Sequence, residues 1–396
     1  MTSYQYPSLT KKIIVTVISD LVTDYRVHRI CQTLKENGFD VTLVGRRNKH
    51  TYGIKQRDYH VHRFHMWFRS SFLFYFEFNF RLFFWLLFKK YDIYLGNDLD
   101  VMPATAFSAW IKQKPLVYDS HEYFLGMAGM DQKPFRRNIW KTVERFIFPR
   151  IKYIYTVSES VRNLYRRDYD KKLLVVRNLP LRDNHTELLT EEEKTWIAGI
   201  DAKIPRGKRI LLLQGAGLNA QRGAEELVYA MLFLDASQYH LMIIGGGDVY
   251  STLEKMIKQN DLENKITLIP KVPFAVLDHF TRQADLGFSI DKPMIVNHRF
   301  SLPNKLFEYL HAGVPVLASR LVEQEKIINH YKVGTFIEEH HPEHIAKKIT
   351  EVFANEQRWL EWKKNTFQVR DELNWENERQ IIVDIFKQVE KDSVNY

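Results

Sequence analysis

The sequence predicts an α/β protein made of two doubly wound, Rossmann-like domains facing across a cleft. Three observations predict it. Short β-branched runs alternate with longer helical patterns almost from end to end, a turn-rich stretch interrupts the alternation once, and a second series then begins. At 396 residues the chain is long for a single core. It is comfortable for two domains of roughly 150–200 residues each.

In the first series Ile13–Ile18 reads as a buried strand, and the helical pattern after it closes at Gly38, where a helix C-terminus favours glycine. Strands follow at Phe39–Val44, Asp92–Leu95, Pro115–Tyr118, Tyr153–Val157 and Leu173–Val176, with helical segments between them. Such alternation means a parallel sheet covered by helices on both faces. The break comes at residues 178–185, which are rich in turn formers; Thr190 and Glu193 then form a capping box. With a further breaker-rich stretch at 203–209, the junction lies between Asn178 and Lys208. The second series has strands at Ile210–Leu213, His240–Ile244, Lys265–Ile269, Asp285–Ile290, Val314–Ala318 and Gly334–Ile337, and is helical from His341 on. The expected domains are 1–190 and 200–372, with a last helix at about 375–396 packing back on the first. In open parallel sheets ligands bind beyond the carboxyl ends of the strands, so function is sought in the segments just after them.

The bulk numbers narrow the function classes. A net charge of +9 suits an anionic membrane or phosphorylated substrates. Lys and Arg are scattered in pairs with no finger or helix-turn-helix spacing, so nucleic acid is not an expected partner. The single cysteine, Cys31, forbids an internal disulfide and a cysteine-based zinc site. Residues 1–7 lack an apolar core, so no secretory signal is expected there. Phe72–Phe88 is strongly aromatic, but at 17 residues with Glu77, Asn79 and Arg81 near its middle it does not read as a membrane span. Glu77 and Arg81, four apart, can pair on one helical face. Two readings stay open: a mostly buried helix, or an interfacial membrane-docking helix flanked by Arg69, Lys89 and Lys90.

Three segments of the second series carry chemistry. Residues 214–223, QGAGLNAQRG, form a glycine-rich turn from strand to helix. Gly215 and Gly217 there let backbone amides approach an anion, and Arg222 adds a cation: a diphosphate cradle that is neither a Walker loop nor a dinucleotide fingerprint. Gly245 and Gly246 end the next strand, where ligand approach and close packing are equally consistent with glycine. In the third, Ser301 is expected as a cap and Pro303 in the first helical turn, and Glu308 lies deep enough to accept hydrogen bonds from vicinal hydroxyls such as those of a ribose. Asp98-Leu-Asp100 reads as helix-capping acid rather than a divalent-ion site.

Residues 301–319, SLPNKLFEYLHAGVPVLAS, resemble the donor-nucleotide motif of the retaining glycosyltransferases of family 4, which have the GT-B fold. The segments at 214–227, 243–247 and 284–288 are similar to that family's C-terminal domain, and those at 24–29, 118–122 and 155–160 to its N-terminal domain. The resemblance implies that the second domain binds the nucleotide-sugar donor, through Gly215, Gly217, Arg222, Gly245, Gly246, Lys271, Val272, Ser301, Leu302, Pro303, Asn304, Lys305 and Glu308. Glu308 would hold the ribose, Arg222 the phosphate, and Lys271 and Val272 the base through main-chain groups. His121 would be the catalytic histidine of the first, acceptor-side domain, with Asp24, Arg26 and Glu122 beside it. Two departures stand out: Phe300 replaces the first Glu of the family's pair, and Gly217 replaces a companion Arg.

The activity so implied is transfer of a sugar from a nucleotide-diphosphate sugar to a glycan or lipid-linked glycan, with retention, in polysaccharide or glycoconjugate synthesis. No metal or other cofactor is expected. Neither is a location other than the cytoplasm, at the inner face of the membrane if residues 72–88 dock there. The alternatives are a GT-B sugar-nucleotide epimerase or hydrolase, and a non-catalytic nucleotide-sugar binding protein.

Overall fold

The computed structural model describes residues 10–22, 24–47, 54, 56–127, 129–130, 132–182 and 189–393. The expectation about a secretory signal at residues 1–7, and Asp183, Asn184 and His185 of the turn-rich break, lie outside them. Contacts divide the chain into two units. One runs up to Asn178 and takes in the chain again from Glu378; the other spans Leu179–Asn377.

In the first unit the order is β1 (Lys12–Thr16), α1 (Tyr25–Glu36), β2 (Asp40–Arg47), β3 (His60–His65), α2 (Ser71–Leu87), β4 (Ile93–Asn97), α3 (Met102–Ile111), β5 (Leu116–Ser120), α4 (Pro134–Ile147), β6 (Tyr153–Thr156), α5 (Glu159–Tyr169) and β7 (Leu174–Val175). All its strands pair in parallel, in the spatial order β3-β2-β1-β4-β5-β6-β7. The sequence pattern missed β3. Its residues, HVHRFH, carry too much His and Arg for a core strand, and the structure places them half-exposed at the sheet edge, where that composition is tolerated. α1 starts where the Asp24 carboxylate accepts a hydrogen bond from Val27 N, 3.2 Å away, and its end passes into Gly38 at φ +88°, as expected of that glycine.

The second unit contains α6 (Glu191–Asp201), β8 (Arg209–Gly215), α7 (Ala224–Ala230), β9 (Tyr239–Gly245), α8 (Tyr250–Gln259), β10 (Ile266–Ile269), α9 (Phe274–Gln283), β11 (Leu286–Ser289), α10 (Val296–Arg299), α11 (Asn304–His311), β12 (Val316–Ser319), α12 (Val322–Tyr331), β13 (Gly334–Ile337), α13 (Pro342–Ala354) and α14 (Glu356–Glu372). Its sheet is also parallel, in the order β10-β9-β8-β11-β12-β13. Thr190 and Glu193 form the expected capping box on α6. Alternate residues of β8 enter different cores: Leu211 and Leu213 pack with α7 and α13, whereas Ile210 and Leu212 pack with α9 and α11. That two-sided burial is why these strands read as continuous apolar runs.

The last helix, α15 (Trp375–Ser393), starts in the second unit and continues in the first. There the Glu378 carboxylate accepts from the backbone N–H and guanidinium of Arg177, Phe386 meets Phe39 edge-on, and Arg379 pairs with Glu36.

α2 has two faces. Phe74, Phe78, Leu82 and Leu86 are buried, together with Glu77, which pairs with Arg81 at 2.8 Å and accepts hydrogen bonds from the N–H groups of Trp67 and Phe68. Burial opposes that charge, yet those donors and Arg81 hold the carboxyl below its usual range. The opposite face is an exposed ladder of Phe72, Phe76, Phe80 and Phe84, successive rings 4.7–6.2 Å apart. The helix is therefore neither mostly buried nor evenly amphipathic. Among the described residues no helix is long and apolar enough to cross a membrane.

Candidate functional site

Both sheets reverse direction of winding at one point, between β1 and β4 in the first unit and between β8 and β11 in the second. The carboxyl ends of those strands are where a doubly wound sheet presents its loops to a ligand.

In the second unit the loop after β8 and the loop after β11 are locked together. The Lys292 N–H donates to the Gln221 carbonyl at 2.9 Å. Gly223, at φ +79°, lies so close to Ile290 that an added Cβ would sit 2.6 Å from its carbonyl oxygen. This joint brings Arg222 and Lys305 to one carboxylate: Lys305 Nζ is 3.3 Å from Asp291 Oδ1, and Arg222 Nη1 is 3.7 Å from Oδ2. Asp291 and Lys305 are buried; Arg222 remains about one-third exposed. α7, which follows the glycine-rich turn, has only seven residues, with Glu225 and Glu226 in its first turn. Its dipole is a poorer anion site than the sequence suggested, and the positive charge at this place comes from Arg222 and Lys305 instead.

The glycines divide. A Cβ on Gly245 would lie 1.9 Å from the Gly215 carbonyl oxygen, and one on Gly247 would lie 2.2 Å from that of Leu218. At those two positions glycine is required by packing of one loop on the other. Gly246 and Gly217 are uncrowded.

The motif helix α11 departs from expectation at its start. Pro303 is the N-cap residue and no side chain caps the helix. Ser301 instead donates to the His298 carbonyl at 3.1 Å and closes α10. Leu302 is half-buried, Asn304 exposed, and Lys305 turns inward to Asp291. Glu308 is half-buried and held from behind: Gln214 Nε2 donates to its Oε2 at 2.6 Å, and Gln214 Oε1 accepts from Thr281 Oγ1 at 2.7 Å. Gln214 and Glu308 line a small pocket with Thr281, Phe274, Arg282 and His311. Nothing in the sequence singled out Gln214 or Asp291, whose partners lie far along the chain. Lys271 is exposed and Val272 packs partly into the core after β10.

The first unit assembles a different cluster. His121, following β5, faces Asp98 through Nδ1 at 3.2 Å and Asp119 through Nε2 at 3.3 Å. Asp119 is fully buried and grips Arg26 through Nε at 3.0 Å and Nη2 at 2.7 Å. Burial alone would lower the His121 pKa, but the two carboxylates outweigh it and raise it to about 9, so the ring is an imidazolium at neutral pH. Asp119 is held below the usual carboxylate range because Arg26 and His121 overcome its burial, while burial pushes Asp98 and Asp100 up.

Asp98 is not the helix cap that its spacing suggested. It adopts φ +61° and accepts the His121 N–H at 2.8 Å, while α3 begins beyond it with no side-chain cap. Asp24 and Arg26, expected on the acceptor side, have their polar atoms engaged within the unit. Asp24 caps α1 and accepts from Ser19 Oγ, and Arg26 is buried between Asp119 and the Val176 carbonyl. The Glu122 carbonyl accepts from Ser120 Oγ at 2.7 Å. Among the described residues no group of three His, Cys, Asp or Glu side chains is arranged to hold a metal ion.

Residues 24–179 match the model of Glycosyltransferase Family 4, and residues 200–369 match that of Glycosyl transferases group 1. No curated protein matches the sequence. Among solved structures, sucrose-phosphate synthase from Thermosynechococcus elongatus superposes with a TM-score of 0.76 at 14% identity, covering 96% of this chain and 100% of that one. HepE of Anabaena in complex with UDP and glucose gives a TM-score of 0.71 at 14% identity, covering 98% and 100%. WaaG, a glycosyltransferase involved in lipopolysaccharide biosynthesis, gives 0.68 at 14% identity, covering 94% and 99%. At that identity the superpositions speak for the fold.

Proposed function

The chain is a glycosyltransferase of the GT-B fold, of the family 4 type, and from that premise we propose that it moves a sugar from a nucleotide-diphosphate sugar to a lipid-linked glycan, with retention of configuration. The observation that carries the donor half is the convergence of Arg222, from the loop after β8, and Lys305, from the first turn of α11, on one buried carboxylate at the switch point of the second unit. As the donor's glycosidic bond to phosphate breaks, negative charge grows on the diphosphate. Two preset cations offset that charge without reorganisation. Glu308, fixed by Gln214 and Thr281, is oriented to accept hydrogen bonds from the ribose hydroxyls. Main-chain groups at Lys271 and Val272 would meet the base, and the backbone at Gly215, Gly217 and Gly246 the phosphates.

For the chemical step, the acceptor hydroxyl oxygen forms its bond to the anomeric carbon on the face the diphosphate leaves. The bond from that carbon to the phosphate oxygen breaks, and the departing oxygen takes the acceptor proton. No protein nucleophile and no metal enters this scheme. In the first unit His121, locked as an imidazolium by Asp98 and Asp119, supplies a fixed positive charge that orients the acceptor. The exposed Phe72, Phe76, Phe80 and Phe84, with Arg69, Lys89 and Lys90 also exposed near the ends of that ladder, suit a peripheral helix lying on an anionic bilayer. A cytoplasmic membrane face would present a lipid-linked acceptor there. WaaG's part in lipopolysaccharide biosynthesis fits the same reading.

Release of nucleoside diphosphate from a panel of nucleotide sugars, with and without lipid-linked glycans, tests the proposal. Acceptor-dependent release is expected. Release independent of any acceptor would mean an epimerase or hydrolase, and binding without turnover a non-catalytic protein.

A further inference from the structure

Asp291 follows Ile290 just beyond β11, at the switch point of the second sheet, and is 1% exposed. Its Oδ1 lies against Lys305, whereas its Oδ2 accepts no hydrogen bond from any described residue and has only the Arg222 guanidinium at 3.7 Å. A buried carboxylate oxygen without a hydrogen bond is costly, and such a group calls for a reason. Its position is rigid: Lys292, the next residue, is tied by its N–H to Gln221 and by its carbonyl to His298 Nδ1 at 3.2 Å, and Gly223 abuts Ile290. The acid is thus held in place between the two cations rather than drawn there by loose side chains.

A carboxylate is a poor component of a site meant for diphosphate alone. It cancels one of the two positive charges and repels the phosphates. It becomes useful if what the diphosphate carries presents hydrogen-bond donors, because an ionised carboxylate only accepts. A nucleotide sugar places hydroxyl or amide donors within a bond or two of the phosphate that Arg222 and Lys305 would hold.

We propose that Asp291 reads the donor sugar, its Oδ2 accepting a hydrogen bond from a hydroxyl or amide N–H of the sugar while Oδ1 stays on Lys305. The proposal rests on the transferase reading above and names a sugar-recognising residue for it. Phe300, at the position where the resembled motif has a carboxylate, offers no acceptor; Asp291 is a carboxylate that this chain does place beside the phosphate-binding cations.

The test compares wild type with Asp291→Asn and Asp291→Ser. Binding is measured calorimetrically on the full chain with UDP, GDP and ADP, and with UDP-glucose, UDP-N-acetylglucosamine, GDP-mannose and ADP-glucose. Losing a hydrogen bond to a charged group should weaken the preferred nucleotide sugar by about tenfold or more, while its diphosphate changes by less than about threefold. Equal weakening of both would make Asp291 a counter-ion for the cations and overturn the proposal, as would no change in either. If neither variant folds, the residue's task is structural and the assignment also falls. A wild-type chain that binds none of the panel would sink the transferase reading itself, a result distinct from the others.

Discussion

The two units wind their strands in the same order around the switch point, yet they treat charge in opposite ways. In the first, Arg26, Asp119, His121 and Asp98 form a chain in which each charge meets an opposite one, with Arg26 and Asp119 out of solvent. In the second, Arg222 and Lys305 share a single carboxylate, and Arg222 stays partly exposed. The first arrangement balances its charges within the unit; on the donor-binding reading proposed above, the second leaves one positive charge over for a ligand. A shared strand order around the switch point thus accommodates a charge-balanced cluster in one unit and a net-positive one in the other, because the charges are set by individual residues on α1, β5, α11 and the loops between elements, and not by the order of the strands.

The comparison is broken most severely by removing one partner from the closed cluster. Arg26→Met leaves Asp119 buried without its guanidinium and should destabilise the chain by about 3–5 kcal/mol. The partly exposed Arg222→Met should cost less than about 1 kcal/mol. Chemical denaturation of the two variants checks the contrast, and equal losses would contradict it. A pH scan sharpens the same point. The folded His121 pKa of about 9 exceeds that of an unfolded histidine, so its stabilisation is complete below about pH 6.5 and is lost as pH rises through about 9. That loss should reach at most about 3–4 kcal/mol and should be absent in His121→Gln. Equal slopes for wild type and variant would remove the imidazolium assignment.

On the ligand side, Glu308→Ala should lower donor affinity or turnover about tenfold, near 1.4 kcal/mol, with the melting temperature retained. Unchanged activity would remove Glu308 from the site. Smallest in stability, but decisive for localisation, is the triple change of Phe76, Phe80 and Phe84 to Ser. These side chains are exposed, so unfolding free energy should move by less than about 1 kcal/mol while co-sedimentation with anionic vesicles falls. Retained sedimentation would remove the ladder as the docking surface.

Much of the architecture was legible because it rests on local signals. Two-sided apolar strands, the Thr190–Glu193 capping box, Gly38 at a helix end and the run from Ser301 to Ser319 all act within a few residues. β3 escaped because its edge position allows a polar composition that the pattern treats as loop. Asp98 was misread because a carboxylate just before a helix is usually a cap, whereas here a left-handed backbone turns it toward His121.

By itself the sequence determined two parallel α/β units, a nucleotide-sugar motif in the second, and which side chains around it carry charge. Only the tertiary structure decided how those charges are used. Gln214 and Glu308 are 94 residues apart, and Arg26 and Asp119 are 93 apart. Whether a carboxylate is a partner, a counter-ion or an unsatisfied acceptor depends on distances of about 3 Å set by the packing of elements far apart in the chain. No periodicity or spacing along the chain encodes those distances, because each is fixed by two segments that meet only once the sheet has formed.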